Sequence, residues 1–197
     1  MKRNDYLLFL DADDTLWESA LFFERAERDF LCLMTALGSY EEDVRRIVHK
    51  KDVERLSVTG YGAKPYMDTL RMIMLDLVPE PPAWALTAMD DIQKSLLGHP
   101  VILFPRVIST LESMKNFPVR TVVYTMGEKD HQRDKFLRSG LNSYVDELRI
   151  VPRKTVNALR GILSDSDVKP SNCIVVGNSP DLTLILLFLL ELLPYIY

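Results

Sequence analysis

The sequence has little of what marks secreted, membrane-spanning or nucleic-acid-binding chains. Only two cysteines occur in 197 residues, Cys32 and Cys173. That is too few for a disulfide framework, so buried thiols in a reducing, cytoplasmic setting are expected. No run reaches the roughly 20 apolar residues of a membrane span; the longest, around Leu182 to Leu190, is interrupted by Glu191 and Pro194. The basic start at Lys2 and Arg3 leads into an apolar run, Tyr6 to Leu10, shorter than the ~7–15 residues of a secretory leader. Basic runs are missing as well: 24 Lys and Arg stand against 28 Asp and Glu, giving a net charge of −4. Nothing there would follow a nucleic-acid backbone. The histidines, His49, His99 and His131, have no metal spacing and read as surface or helix-end residues. What is present, 47% hydrophobic and 26% charged residues, is the composition of a globular protein. The length suits one core domain with an insertion.

Four short apolar runs punctuate the chain: Tyr6 to Leu10, Val119 to Tyr124, Leu148 to Val151 and Cys173 to Val176. Continuous apolar runs of this length predict strands buried on both faces of a parallel sheet. Helical patterns lie between the later runs, over 106–116, 128–139 and 154–163, so the second half predicts a doubly wound α/β fold. The stretch from Trp17 to Gly98 has no strand-like run and reads as four helices. The first spans Trp17 to Leu37; Ser39 and Glu42 form a capping box for the second. Pro65 suits the first turn of the third, and the fourth runs from Ala83 to Leu97. Residues 1–16 and 99–181 are therefore expected to form a Rossmann-like core, 17–98 an inserted helical cap, and 182–197 an atypical apolar tail. An insertion directly after the first strand falls where a parallel sheet carries its ligand crevice.

The chemistry concentrates at strand ends. Leu10-Asp11-Ala12-Asp13-Asp14-Thr15 places two carboxylates two residues apart at the end of the first strand, on one side of an extended chain. Their mutual repulsion calls for a divalent cation or a shared proton. A bland alternative is that Asp13, Asp14 or Thr15 caps the next helix. Thr125-Met126-Gly127 ends the second strand, Lys154 follows the third, and Gly177-Asn178-Ser179 ends the fourth. Singly, each of these could be an ordinary strand end, solvated lysine or turn; in this order they converge on one crevice.

In these motifs the chain resembles the haloacid-dehalogenase-like superfamily: a strand followed by Asp-x-Asp-x-Thr, then a strand-end Ser or Thr, a Lys, and a Gly-Asn loop. The resemblance covers Tyr6 to about Pro180, and it implies that the helical insertion is that superfamily's cap. It further implies Asp11 as nucleophile forming an aspartyl phosphate and Asp13 as general acid and base. Thr125, Met126, Gly127 and Lys154 would bind the phosphoryl group. Mg²⁺ would be held by Asp11, Asp13 through its backbone carbonyl, Asn178 and Asp181. Asp13 favours phosphate esters over haloacids, because an alkoxide leaves with a proton and a halide without one. The expected partner is a small phosphorylated metabolite, and the segment Thr59 to Pro65, where two glycines flank Tyr61 and Lys64 follows, reads equally as a loop facing it or as an ordinary interhelix turn.

The chain departs from that pattern after Pro180. The superfamily's fourth motif carries an acidic residue about four positions beyond Asn178, whereas Asp181 stands at three and a long apolar run follows. A reading-frame shift at about Pro180-Asp181 is the hypothesis this suggests, since the codons of Asp181 to Leu187, re-read from their third bases, permit Ser-Asp-Ile-Asn-Pro-Ala. Gene codons that cannot yield Ser-Asp-Ile in the other frame would exclude it. The alternatives to a working phosphatase are a catalytically impaired product of a damaged gene, a haloacid dehalogenase, and a phosphoacceptor signalling domain. The order and spacing of the motifs disfavour the last.

Overall fold

A computed structural model describes residues 6–58, 60–166 and 168–178. Asp181, Ser179 and the apolar tail after Pro180 lie outside the described residues. The chain leaves one compact unit after Glu18 and returns to it at Val101; Ser19–Pro100 form a second unit.

The first unit is a four-stranded parallel sheet in the order β3-β2-β1-β4: β1 Tyr6–Leu10, β2 Val119–Met126, β3 Glu147–Val151 and β4 Cys173–Val176. All pairings are parallel, with Leu10 opposite Val123 of β2 and Val176 of β4. Among the described residues, helices α5 Val107–Met114, α6 Lys129–Arg138 and α7 Val156–Ser164 also belong to it. Alternation along β1 divides the core. Leu7 and Phe9 join Val122, Tyr124, Leu159 and Ile162 on one face; Leu8 and Leu10 join Val123, Phe136, Leu111 and Trp17 on the other. Where the chain departs and returns, Trp17 bridges antiparallel to Leu103. Glu18 N donates to Ile102 O (2.9 Å) and Phe104 N to Leu16 O (3.0 Å).

Trp17 corrects the sequence reading, which placed it at the start of the first helix. The chain turns at Asp14, whose φ of 56° is left-handed, a conformation aspartate tolerates better than most residues. This turn puts the fully buried Trp17 ring into the sheet core instead. Burying a side chain of that size, roughly 200 Å² at ~25 cal/mol per Å², contributes up to about 5 kcal/mol.

The second unit consists of α1 Ala20–Ala36, α2 Glu41–Val58, α3 Ala63–Leu77 and α4 Ala83–Leu97. Its core follows helical spacing: Phe22, Ala26, Phe30 and Leu33 on α1, Tyr66, Leu70, Ile73 and Met74 on α3, and Ala85, Met89, Ile92 and Leu96 on α4. From α2, Val44 and Val48 join them. This helix starts at Glu41, one residue later than a cap at Ser39 would give, with Glu41, Glu42 and Asp43 in its first turn, where the helix dipole favours negative charge. His99, read as a surface or helix-end residue, follows the end of α4 but is buried there, stacked on Phe22 with ring centroids 4.2 Å apart. Cys32 is exposed, against expectation, while Cys173 is buried. Among the described residues no helix is long and apolar enough to cross a membrane.

Candidate active site at the carboxyl end of the sheet

Asp11 immediately follows β1, with its backbone still tied to the next strand: Asp11 N donates to Val176 O at 2.8 Å. Its Oδ1 accepts from Ala12 N at 2.7 Å and from Lys154 Nζ at 2.6 Å, the two ion-paired side chains each 8% exposed. Among the described residues Oδ2 takes no hydrogen bond, so one oxygen of a held carboxylate remains to react. Lys154 is placed by the chain between β3 and α7. There Thr155 caps α7 by accepting from Ala158 N at 3.1 Å, which fixes the helix start beside the lysine. The Lys154 ammonium also sits 5.9 Å from the centre of the Tyr124 ring, whose phenol is pushed up to about 12 by burial.

Asp13 has different company. Its Oδ1 accepts from Trp17 Nε1 at 2.7 Å and pairs with Lys135 Nζ; its Oδ2 accepts from Gln132 Nε2 at 2.7 Å. Burial alone would push the Asp13 carboxyl up. The Lys135 charge and the hydrogen bonds from Lys135, Gln132 and Trp17 outweigh burial and hold it below the usual carboxylate range. Sequence reasoning assigned the conflict between Asp11 and Asp13 to a shared cation or proton; the fold gives each carboxylate its own lysine. Gln132 and Lys135 were missed because Lys129–Arg138 reads as a solvated helix. Their only signal is the three-residue spacing that puts both on one face of α6 with Phe136, all three buried.

Thr125 is buried at the end of β2, 1% exposed, and in register falls at the level of Ala12. No hydrogen bond joins it to Asp11, Asp13 or Lys154 among the described residues. Gly127 follows at φ 141°, its N–H donating to Val151 O at 3.1 Å. Asn178 N donates to Thr15 Oγ1 at 3.1 Å, which ties the loop after β4 to the loop after β1. Sequence reasoning gave Thr15 no such role. The donor set around Asp11 is otherwise sparse. Among the described residues no group of three or more His, Cys, Asp or Glu gathers that could hold a metal ion.

No protein-family model matches the chain. It is 25% identical over 184 residues to a glyceraldehyde 3-phosphate phosphatase of Methanopyrus kandleri, covering 88% of this chain and 76% of that protein. Its structure is similar to that of a haloacid-dehalogenase-like family hydrolase from Xanthomonas campestris: TM-score 0.82, 24% identity, 92% of this chain and 78% of that one. An L-2-haloacid dehalogenase from Xanthobacter autotrophicus, solved with chloropropionic acid covalently bound, is similar at TM-score 0.54 and 15% identity, over 89% of this chain and 69% of that one. A parallel sheet in the order β3-β2-β1-β4, a helical unit inserted after β1, and this similarity over nine-tenths of the chain lead to one conclusion: the chain has the fold of the haloacid-dehalogenase-like hydrolases.

Proposed function

We propose that this chain is a phosphatase that hydrolyses the monoester of a small phosphorylated metabolite through an aspartyl phosphate on Asp11. The observation that carries the reading is the pairing of Asp11 with Lys154 while a second carboxylate, Asp13, stands two residues on in a separate set of donors. A haloacid dehalogenase needs a nucleophilic carboxylate, but its halide leaves without a proton and gives Asp13 no task. Phosphoryl transfer has work for both carboxylates. In the first displacement Asp11 Oδ2 attacks phosphorus, the ester P–O bond breaks, and the departing alkoxide takes a proton from Asp13. In the second, water attacks phosphorus, Asp13 takes back a proton, and the Asp11–phosphorus bond breaks. The donors around Asp13 favour the ionised form that the second step uses. Lys154 offsets the charge gathering on Asp11 and the phosphoryl oxygens, with Thr125, Met126 and Gly127 lining the same strand ends.

Magnesium fits this donor set in part. It binds through as few as one or two carboxylates and keeps several waters, which the Asp11 carboxylate, the Asp13 carbonyl and the Asn178 amide would complement, with Asp181 beyond the described residues. When bound it would stabilise charge on the transferring group. The departure of the sequence from the superfamily's fourth motif after Pro180 supports a second reading, an impaired enzyme of the same fold. Likeness to a glyceraldehyde 3-phosphate phosphatase supports a phosphorylated metabolite as substrate, and Ser19–Pro100 is the segment we assign to choosing it. The test is hydrolysis of p-nitrophenyl phosphate and of a panel of sugar phosphates, with and without Mg²⁺, by the native chain and Asp11→Asn. Metal-dependent turnover lost in Asp11→Asn is expected. Soluble, folded protein with no turnover on any ester would favour the impaired reading.

A further inference from the structure

Lys135 is a charged side chain only 2% exposed, and Gln132, one turn before it on α6, is 5% exposed. Burying an ammonium costs several kcal/mol of lost hydration, and apolar residues of similar volume commonly serve stability as well or better. The question is therefore what these two polar groups do that leucine or methionine would not. Both reach the same target from the same helix face: Lys135 Nζ takes Asp13 Oδ1 and Gln132 Nε2 takes Asp13 Oδ2. The other hydrogen of that amide nitrogen goes to Met126 O at 3.1 Å. Two acceptors converge on one end of the amide, which fixes it as the nitrogen end. This leaves Oε1 buried with no hydrogen-bond partner among the described residues, an expense accepted for the sake of the other end. The backbone makes room for the arrangement, since a Cβ on Gly127 would lie 3.1 Å from Gln132 Nε2 and 3.3 Å from its Cγ. On the far side Trp17 Nε1 closes on Oδ1, with the Lys135 ammonium 5.7 Å from the centre of its ring.

We infer that Gln132 and Lys135 are positioning residues for Asp13, a two-point clamp that sets the plane of its carboxyl so that proton exchange with the ester oxygen has one geometry. A single contact leaves a carboxylate free to rotate about its terminal torsion, which is broad and soft. Lys135 and Trp17 on Oδ1 with Gln132 on Oδ2 remove that freedom together, and losing either donor from α6 returns part of it. The catalytic part of this inference rests on the phosphatase reading; the clamp itself does not.

Two measurements test it, on the full chain. The first compares kcat and KM, with Mg²⁺, for p-nitrophenyl phosphate and glycerol phosphate in Lys135→Met, Lys135→Arg, Gln132→Met and Gln132→Glu. The aryl oxide leaves readily without a proton, whereas the alkoxide needs one. General acid catalysis is worth about 10²–10⁴-fold in all, and each variant keeps Asp13 and two of its three donors; Gln132→Met, which leaves Oδ2 without a donor, should therefore lower kcat on the alkyl ester about 10-fold or more beyond its effect on the aryl ester, and Lys135→Met, which leaves Trp17 on Oδ1, by a smaller margin in the same direction. KM should change little, and Lys135→Arg should recover part of the loss. Equal losses on both esters, as a merely structural role would give, overturn the inference. The second measurement does not depend on activity. The indole N–H resonance of Trp17 reports its hydrogen bond to Asp13, with Trp84 as internal reference. In Lys135→Met and Gln132→Met the Trp17 resonance should move while that of Trp84 stays. An unmoved Trp17 resonance overturns the clamp. A native chain inactive on every ester would count against the phosphatase reading, and the clamp would still stand or fall on that resonance.

Discussion

Replacing Lys135 by Met removes the cation from Asp13 while keeping most of the side-chain volume, so the change isolates charge from packing. Unit charges near contact attract by roughly 4 kcal/mol at an effective dielectric of about 20, and breaking a buried pair costs about 3–5 kcal/mol. Two observations pull the expectation to the low end of that range. The Asp13 side chain is 29% exposed, and Trp17 and Gln132 still donate to it after the lysine is gone. We expect Lys135→Met to destabilise by about 3 kcal/mol, and Asp13→Asn, which leaves a buried ammonium without its anion, by a similar amount. The double variant should lose far less than the total of the two, with a coupling of about 1.5–3 kcal/mol. Urea unfolding in chelator-containing buffer measures all four proteins; at a slope of about 2 kcal/mol per molar, each single change shifts the midpoint by about 1.5 M. Single effects that add within about 0.5 kcal/mol would mean that the pair carries no energy, and the account of Asp13 given above would be wrong.

Acid should erase the same difference. The folded Asp13 carboxyl titrates below its unfolded value of about 3.9, so the unfolded chain binds the proton first as pH falls. Its contribution is complete above the unfolded value and is lost as pH drops through the folded one; the gap between native chain and Lys135→Met should be full at pH 6 and narrow markedly by pH 3. Of the two tryptophans, Trp17 is fully buried in the sheet unit and Trp84 is 51% exposed in the helical unit. Trp84→Phe should therefore leave blue-shifted emission resistant to acrylamide, Trp17→Phe red-shifted emission that is readily quenched, and identical quenching would contradict the burial described. Burial pushes the Cys173 thiol up to about 11, whereas Cys32 is exposed. At pH 8 one thiol per chain should alkylate quickly and the second only on unfolding, with two equal rates refuting this.

Much of the sheet was legible because continuous apolar runs in a parallel core leave few alternatives: β1 and β4 have the bounds expected, and β2 and β3 extend them by one or two residues. The helix from Ala83 to Leu97 was equally plain, bracketed by Pro82 and Gly98. Trp17 was misread because an apolar residue four before Leu21 fits a helical stripe, and only the left-handed turn at Asp14 takes it out of register. The burial of His99 was not legible because a helix-end position says nothing about a ring such as Phe22, 4.2 Å away in space but far off in sequence. The lysine on Asp13 was invisible for a different reason. Periodicity detects apolar faces, and a buried face made of Gln132, Lys135 and Phe136 is mostly polar, so its direction emerges only when the acceptor arrives from the loop after β1.

The register of β1 has a consequence for how the protein is made. Tyr6 pairs with Val119 and Leu7 with Cys173, so the strand that leads to Asp11 leaves the ribosome well over a hundred positions ahead of most of its pairing residues, and then waits. At ~5–20 residues per second, the roughly 110 residues up to its first partner take about 6–20 s to be synthesised. During that interval Tyr6-Leu7-Leu8-Phe9-Leu10 is an apolar segment with both edges unpaired, a ready seed for association between nascent chains. The four-helix segment that delays it has its own core of local contacts and can be complete before β2 appears. Slowing translation across residues 20–100 should therefore harm yield more than slowing it after Val176, and a chaperone that shields the first strand should matter most while the helices are still being written.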